Sequence, residues 1–354
     1  MSFFYKSYIM VDTIGITFDL KADYKPNIGD PEDINAEFDS EGTIDNLAKT
    51  IESLGYKVKK IGNINRVISS LNNLGVDLVF NICEGTKGRN RESQVPMLLE
   101  LKDIPFVGAD ALTLGLTLDK YLTKKILVAE GIPTPKFFQA EDLTSVDNQI
   151  KGMNFPMIVK PRFEGSSKGL TDSARVTSID ELKKRIRHVN INYKQAAIVE
   201  EFISGKEATV GIIGNKHKAQ ALPVSQIKID GQSNLKDKFY THDYLKYKKD
   251  NVEYVFDNDF SKVLNETMQR YALLTYNAVE CRDFGRVDFR IDENNNPFVL
   301  EINPLPSLSC EDVFVLVSEY MGLTFSDTIA KIIEAAKERY GLKKEQLVAK
   351  TGNS

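Results

Sequence analysis

The stretch Gly285-Arg-Val-Asp-Phe-Arg-Ile-Asp-Glu-Asn-Asn-Asn-Pro-Phe-Val-Leu-Glu-Ile-Asn303 sets chemistry-bearing side chains between two apolar-rich runs. Residues 292–297 form a turn cluster, so the runs read as a β-hairpin. Pairing centred between Asn294 and Asn295 places Asp288 opposite Glu301 and Arg286 opposite Asn303. Side chains alternate with period two, so all four project to one face. Two carboxylates and an amide oxygen suit Mg²⁺, which completes its shell with phosphate oxygens. An arginine beside them could hold a phosphate or a developing oxyanion. The alternative is a solvated hairpin face laced by cross-strand ion pairs. The apolar run at 298–300 and the Pro304-Leu-Pro306 that follows favour a buried face.

Three other segments carry groups suited to an anionic ligand. Residues 155–169 read Phe-Pro-Met-Ile-Val-Lys160-Pro-Arg-Phe-Glu-Gly-Ser166-Ser-Lys-Gly169. A lysine ending an apolar strand, followed by a flexible loop, can place an ammonium and backbone N–H groups on phosphates. The lysine precedes the glycines, so this is not a P-loop. An ordinary surface turn has the same composition. Glu200, Glu201 and Glu207 lie just past a strand end, where they could accept from an adenine amine or ribose hydroxyls, or face water. Asp119 is a plausible helix N-cap, which makes Lys120 either a second phosphate clamp or a solvated helix lysine.

These groups need a scaffold. Residues 14–18, 56–61 and 77–82 read as strands, and 40–54 and 95–101 as helices, with Ile44, Leu47, Ile51 and Leu54 at helical spacing. Alternation of this kind predicts a parallel sheet in a first domain, residues 1–115. Residues 19–39 form a long polar loop bearing Asp19, Asp23, Asp30, Glu32, Asp33 and Glu37 against Lys21 and Lys25. A loop of that length is functional or mobile. A central domain, 116–205, holds helices at 119–131 and 179–189 and strands at 157–160 and 196–200. A third, 206–342, is strand-rich at 208–213, 219–229, 254–255, 285–291 and 297–302, with helices at 260–279 and 326–340. Residues 343–354 read as a frayed tail. The fold class is α/β, α+β over the whole chain.

At roughly 150 residues per domain, 354 residues agree with two or three. Apolar residues at 42% exclude disorder as the main state. A net charge of −4 disfavours general nucleic-acid binding, and the basic run from Lys183 to His188 reads as a solvated helix face. No apolar stretch reaches the roughly 18 residues of a membrane span, and residues 1–11 lack a secretory signal, so a cytoplasmic location without a membrane partner is expected. Cys83, Cys281 and Cys310 are too few and too scattered for a disulfide framework and are expected to be structural. With only His188, His217 and His242, any metal should be a hard one held by oxygens.

Taken in order, DLVFNI, IPFVGAD, LTLDKYLTKKIL, GIPTP, FPMIVKPRFEGSSKG, IVEEFISGKE and GRVDFRID…FVLEINPLPSLS resemble the ATP-grasp superfamily, and within it the D-alanine–D-alanine ligase type, from about Asp77 to Asp312. The resemblance implies a three-domain ATP-grasp fold with ATP between the central and C-terminal domains. It implies ATP-driven activation of a carboxylate as an acyl phosphate, then attack by an amine. On the matching positions, Lys120 and Lys160 would hold the α/β-phosphates, and the 164–169 loop would close over the triphosphate with Ser166 facing the substrate. Glu200, Glu201 and Ile203 would meet adenine, Glu207 the ribose, and Phe202 and Leu300 would pack on the base. Asp288, Glu301 and Asn303 would hold two Mg²⁺, with Mn²⁺ an alternative. Arg286 and the backbone near Ser307 would stabilise the oxyanion, Lys246 would meet the γ-phosphate and Tyr247 would serve the lid. Small amino-acid or carboxylate and amine substrates, and a homodimer, are implied as well.

The substrate side departs from the family pattern. Residues 18–23 and the acidic loop replace a glycine-rich turn with Ser and Glu. Glu84-Gly85 stands where His-Gly is expected, and Asp312 where Ser is expected. The leading expectation is therefore an ADP-forming carboxylate–amine ligase whose substrate is not plain D-alanine, and whose acids favour a cationic or amine-rich partner. A true D-alanine–D-alanine ligase and a non-catalytic nucleotide-binding protein are the alternatives.

Overall fold

A computed structural model describes residues 10–309 and 312–344. Three larger sheets and one two-stranded pair organise the described residues. The first is parallel, with Lys57–Gly62, Thr13–Phe18, Leu78–Ile82 and Phe106–Val107 side by side in that order. Leu78–Ile82 is buried along its whole length, as a strand covered on both faces must be. The Glu41–Ser53 helix packs there through Ile44, Leu47, Ala48 and Ile51, and its N-terminus is capped by Ser40, which accepts from the Thr43 N–H.

The second sheet is antiparallel, in the order Phe137–Ala140, Ala197–Glu201, Met157–Pro161, Arg175–Val176. The Ile179–Asn192 helix covers it with Leu182, Ile186 and Val189. The basic run on this helix is not wholly solvated. Arg185 is only 6% exposed and turns inward to donate to the Gly169 carbonyl.

The third sheet runs Val252–Val255, Ser225–Ile229, Gly205–Ile213, Phe284–Ile291, Pro297–Asn303. The Lys262–Ala278 helix packs on it. The strand expected over 219–229 is two pieces, Gln220–Ala221 and Ser225–Ile229, because Pro223 cannot donate to a ladder. Gly205 opens this sheet with φ +138°, and a Cβ there would lie 2.1 Å from the Ile291 carbonyl oxygen, so only glycine allows the approach.

Sequence patterning missed the Ala111–Leu118 and Val313–Tyr320 helices. Both are apolar on nearly every side, so neither shows a helical period. Each is nevertheless capped by an aspartate, Asp110 and Asp312.

The Phe325–Tyr340 helix packs back onto the first sheet, and Ile329, Ile332, Ile333 and Ala336 share a core with Ile14, Leu47 and Phe80. Buried Asp283 joins three regions by accepting from the Gly108 N–H at 2.9 Å, Asn215 at 2.9 Å and Arg339 at 2.6 Å. Lys343–Lys344 pairs in parallel with Met10–Val11, so the expected tail begins as a strand; the rest of it lies outside the described residues. Cys83 and Cys281 are buried free thiols, and burial pushes both up. Cys310 lies outside the described residues. Among the described residues no single helix is long and apolar enough to cross a membrane.

Candidate active site

A cavity of about 780 Å³ opens where the three sheets meet, large enough for a nucleotide beside a second small molecule. The hairpin forms one wall. Arg286 pairs with Asn303 and Asp288 with Glu301, the register expected from the turn. Beyond Asp288 the ladder slips by one, so that Phe289 faces Val299 and Leu300 is the extra residue of a bulge. Leu300 lines the cavity.

Charge on this wall is tightly arranged. Arg286 donates from Nε and Nη2 to the two Asp288 oxygens, both at 3.0 Å, and its Nη1 lies 3.7 Å from Asp312. Asp288 also accepts from the Thr209 hydroxyl at 2.6 Å. Glu301 lies 3.4 Å from Lys120. Burial alone would raise its carboxyl, but Lys120, Lys160 and Arg286 hold it down at about 2. Asp288, Glu301 and Asn303 thus offer hard oxygens into the cavity. Among the described residues no three His, Cys, Asp or Glu gather into a complete metal cage, so a cation here must take further oxygens from water or a ligand.

The second sheet supplies the opposite wall. Lys160 is 6% exposed and lies 3.4 Å from Glu200, whose carboxylate is shared with Lys124 at 3.3 Å. The two lysines keep Glu200 ionised against its burial, and this carboxylate, held between them, lines the cavity. Glu201 accepts from the Asn154 N–H at 2.8 Å. Phe202 is flanked by the Arg290 and Arg175 guanidinium groups at 4.9 and 5.3 Å. Arg290 donates to Glu207 at 2.8 Å and to the Ile203 carbonyl at 2.8 Å. It was missed in the sequence, although it continues the alternation of Arg286 and Asp288.

The acidic loop is not loose. Glu37 accepts from the Gly165 N–H at 2.6 Å, from Arg91 at 2.7 Å and from Lys168 at 3.2 Å. Asp33 accepts from the Gly169 N–H at 2.6 Å and the Tyr193 hydroxyl at 2.9 Å. Two N–H groups of the glycine loop, expected to face phosphates, are held here by carboxylates. Ser166 and Ser167, at φ +45° and +55°, lie between them in the left-handed region, a strained stretch of cavity wall. Gly169 is obligatory: its φ is +75°, and a Cβ would sit 2.5 Å from Pro161.

Not every expected residue reaches the cavity. Lys246 and Tyr247 lie outside its lining and bond Glu32 at 3.0 and 2.6 Å. Tyr240, Tyr254 and Lys249 line it from the same region. Ser307, Asp312 and Glu84 do line it, joined by Glu92, which carried no sequence signal because it sits in the short Arg91–Ser93 3₁₀ turn.

The family described as "D-ala D-ala ligase C-terminus" matches residues 126–334. An uncharacterized protein, y4sG, of Sinorhizobium fredii is 33% identical over 264 residues, 74% of this chain and 75% of the relative. The D-alanine–D-alanine ligase of Carboxydothermus hydrogenoformans is 32% identical over 298 residues, 82% of this chain and 91% of the relative. Among solved structures, D-alanine–D-alanine ligase from Bacillus anthracis complexed with ATP aligns with a TM-score of 0.71 at 22% identity, covering 94% of this chain and 98% of that one. The family match and the curated relatives, on this fold, define an ATP-grasp enzyme of the ATP-dependent ligases that form C–N bonds. The chain belongs to the D-alanine–D-alanine ligase-like family.

Proposed function

We propose that the protein is an ADP-forming carboxylate–amine ligase making a dipeptide or related amide from a substrate pair other than two D-alanines. The observation that carries this reading is the hairpin face, where Arg286, Asp288, Glu301 and Asn303 stand in register towards a cavity that Lys120 and Lys160 also line. A substrate carboxylate attacks the γ-phosphorus of ATP and displaces ADP. The resulting acyl phosphate is attacked by an amine, the amine loses a proton, and phosphate leaves. No nucleophile on the protein is needed, in keeping with buried Cys83 and Cys281.

In this reading Lys120 and Lys160 bind phosphates, and Ser166 and the 164–169 loop cover them. Glu201, Phe202, Ile203 and Leu300 frame the base, and Glu207 meets the ribose. Glu200 acts through Lys124 and Lys160. Asp288, Glu301 and Asn303 would hold Mg²⁺ or Mn²⁺, which would offset the crowding of phosphate charge. Arg286 and the backbone at Ser307 stabilise the oxyanion. Lys246 and Tyr247 would reach the nucleotide only by leaving Glu32. Asp312, engaged by Arg286 and capping a helix, positions Arg286 more than it meets substrate.

The test is ADP release with Mg²⁺-ATP against D- and L-amino acids, singly and in pairs, with mass spectrometry of the products. Turnover with one pair is expected. Glu301→Ala should lose about 10²–10³-fold in kcat and keep its fold. ADP release with D-alanine alone, yielding its dipeptide, would make the protein a D-alanine–D-alanine ligase instead. ATP binding without turnover on any pair would overturn the ligase reading.

A further inference from the structure

Beside the hairpin, the cavity is lined from the first sheet by Glu84, just past the Leu78–Ile82 strand, and by Glu92, and these two mark one end of the lining. Glu92 is 7% exposed. Among the described residues, neither carboxylate has a hydrogen-bond or ion-pair partner, although both sit in a charged neighbourhood. The cations close by are already engaged. Arg91 binds Glu37 through Nη2 at 2.7 and 2.9 Å and the Phe163 carbonyl through Nη1 at 2.7 Å. Lys168 is shared by Glu37 and Glu164. Lys120 serves Glu301 and the Glu164 carbonyl. Asp39, also in the lining, feels Lys21 without an ion pair to it. Glu92 is the most buried of the three that stay without an ion-pair partner among the described residues, and Glu84 feels its charge.

Two carboxyls facing one cavity, Glu92 buried and Glu84 half-buried, hold their protons more readily than free ones, and a cationic ligand would draw those protons off. Burial pushes both carboxyls up, Glu92 to about 7, and Glu92 pushes Glu84 further. One ammonium could bridge both carboxylates, as Lys168 bridges Glu37 and Glu164, but it would balance one charge of the two; two ammonium groups balance both. We propose that this end of the cavity is a subsite for a substrate with two cationic nitrogens, a diamino acid or a diamine, held by Glu84 and Glu92. The substrate's conversion rests on the ligase reading; its binding does not.

Binding is measured by calorimetry on the full chain saturated with Mg²⁺ and a non-hydrolysable ATP analogue. The probes are L- and D-lysine, ornithine and 2,3-diaminopropionate, each against a chain-matched neutral amino acid such as norleucine, with putrescine and cadaverine alongside. At least one dication should bind about tenfold or more tighter than its neutral match, the worth of one charged hydrogen bond. Glu92→Gln and Glu84→Gln, both close to isosteric, should each erase most of that preference. Preference for diamino acids over diamines, or the reverse, identifies the source of the nitrogens. Equal binding of lysine and norleucine, no binding of any probe, or a preference that survives both substitutions would overturn the subsite. A preference that depends on Glu84 and Glu92 without ADP release on any pair would keep the subsite and remove the ligase reading.

Discussion

Two glutamates in one cavity are pushed in opposite directions, and pH separates them. Glu301 is held at about 2 by Lys120, Lys160 and Arg286 against its burial. Its folded-state value lies below its unfolded one, so its contribution is full above about pH 4.5 and is lost as pH falls towards 2. Glu92 is raised by burial to about 7. The folded protein keeps a proton there that the unfolded chain has released, so stability declines as pH rises from about 4.5 to 7. Glu92→Gln removes that dependence. Its melting temperature should match the wild type near pH 5 and exceed it by a few degrees near pH 8, read by calorimetry; parallel curves across that window would refute the assignment. At this scale the hairpin was legible, because a strong turn and a period of two fix which side chains share a face. Glu92 was not legible, because a three-residue 3₁₀ turn has no period to read.

The acidic loop shows where local reading stops. Its length and composition are plain in the sequence, but its partners are not: Glu37 reaches Arg91 across 54 positions and Gly165 across 128, and Asp33 reaches Gly169 across 136. Such pairings are set by how three sheets pack, not by spacing. The loop therefore acts as a strap that fixes the glycine loop from the side of the first sheet. Removing one partner of a buried ion pair strands the others at a cost of about 3–5 kcal/mol. Glu37→Ala should accordingly lower stability and speed amide exchange at Gly165 and Gly169, with the Thr13–Phe18 strand unchanged, as seen by hydrogen–deuterium exchange. Unchanged protection across 164–169 would show that the glycine loop holds itself. Gly165, Ser166 and Ser167 of that loop line the cavity, and the resemblance gave no sign of the carboxylates that bind its N–H groups here.

Across the whole molecule, the first sheet and the last helix are one structural unit. Ile329, Ile332 and Ile333 are fully buried against residues nearly the whole chain away. Ile332→Ala should cost about 2–5 kcal/mol through lost burial and the cavity left behind. It should lower the unfolding of the first sheet as well as that of the helix, which tryptophan-free near-UV tyrosine signals and exchange at Leu78–Ile82 can follow. Loss confined to the helix would mean that the first sheet stands without it. Patterning found this helix and this sheet separately; their union is a long-range contact that periodicity does not encode.

The pairing of Met10–Val11 with Lys343–Lys344 closes the described chain into something near a ring. Order along the polypeptide is then partly a matter of convention. A short linker joining these two strands, with new ends opened at the exposed Lys151–Gly152 turn, would alter no strand pair in any of the three sheets and none of the cavity's walls. Such a circular permutant would translate the last helix and the first sheet one after the other, turning the union of first and last segments from a contact across the whole chain into one between sequence neighbours.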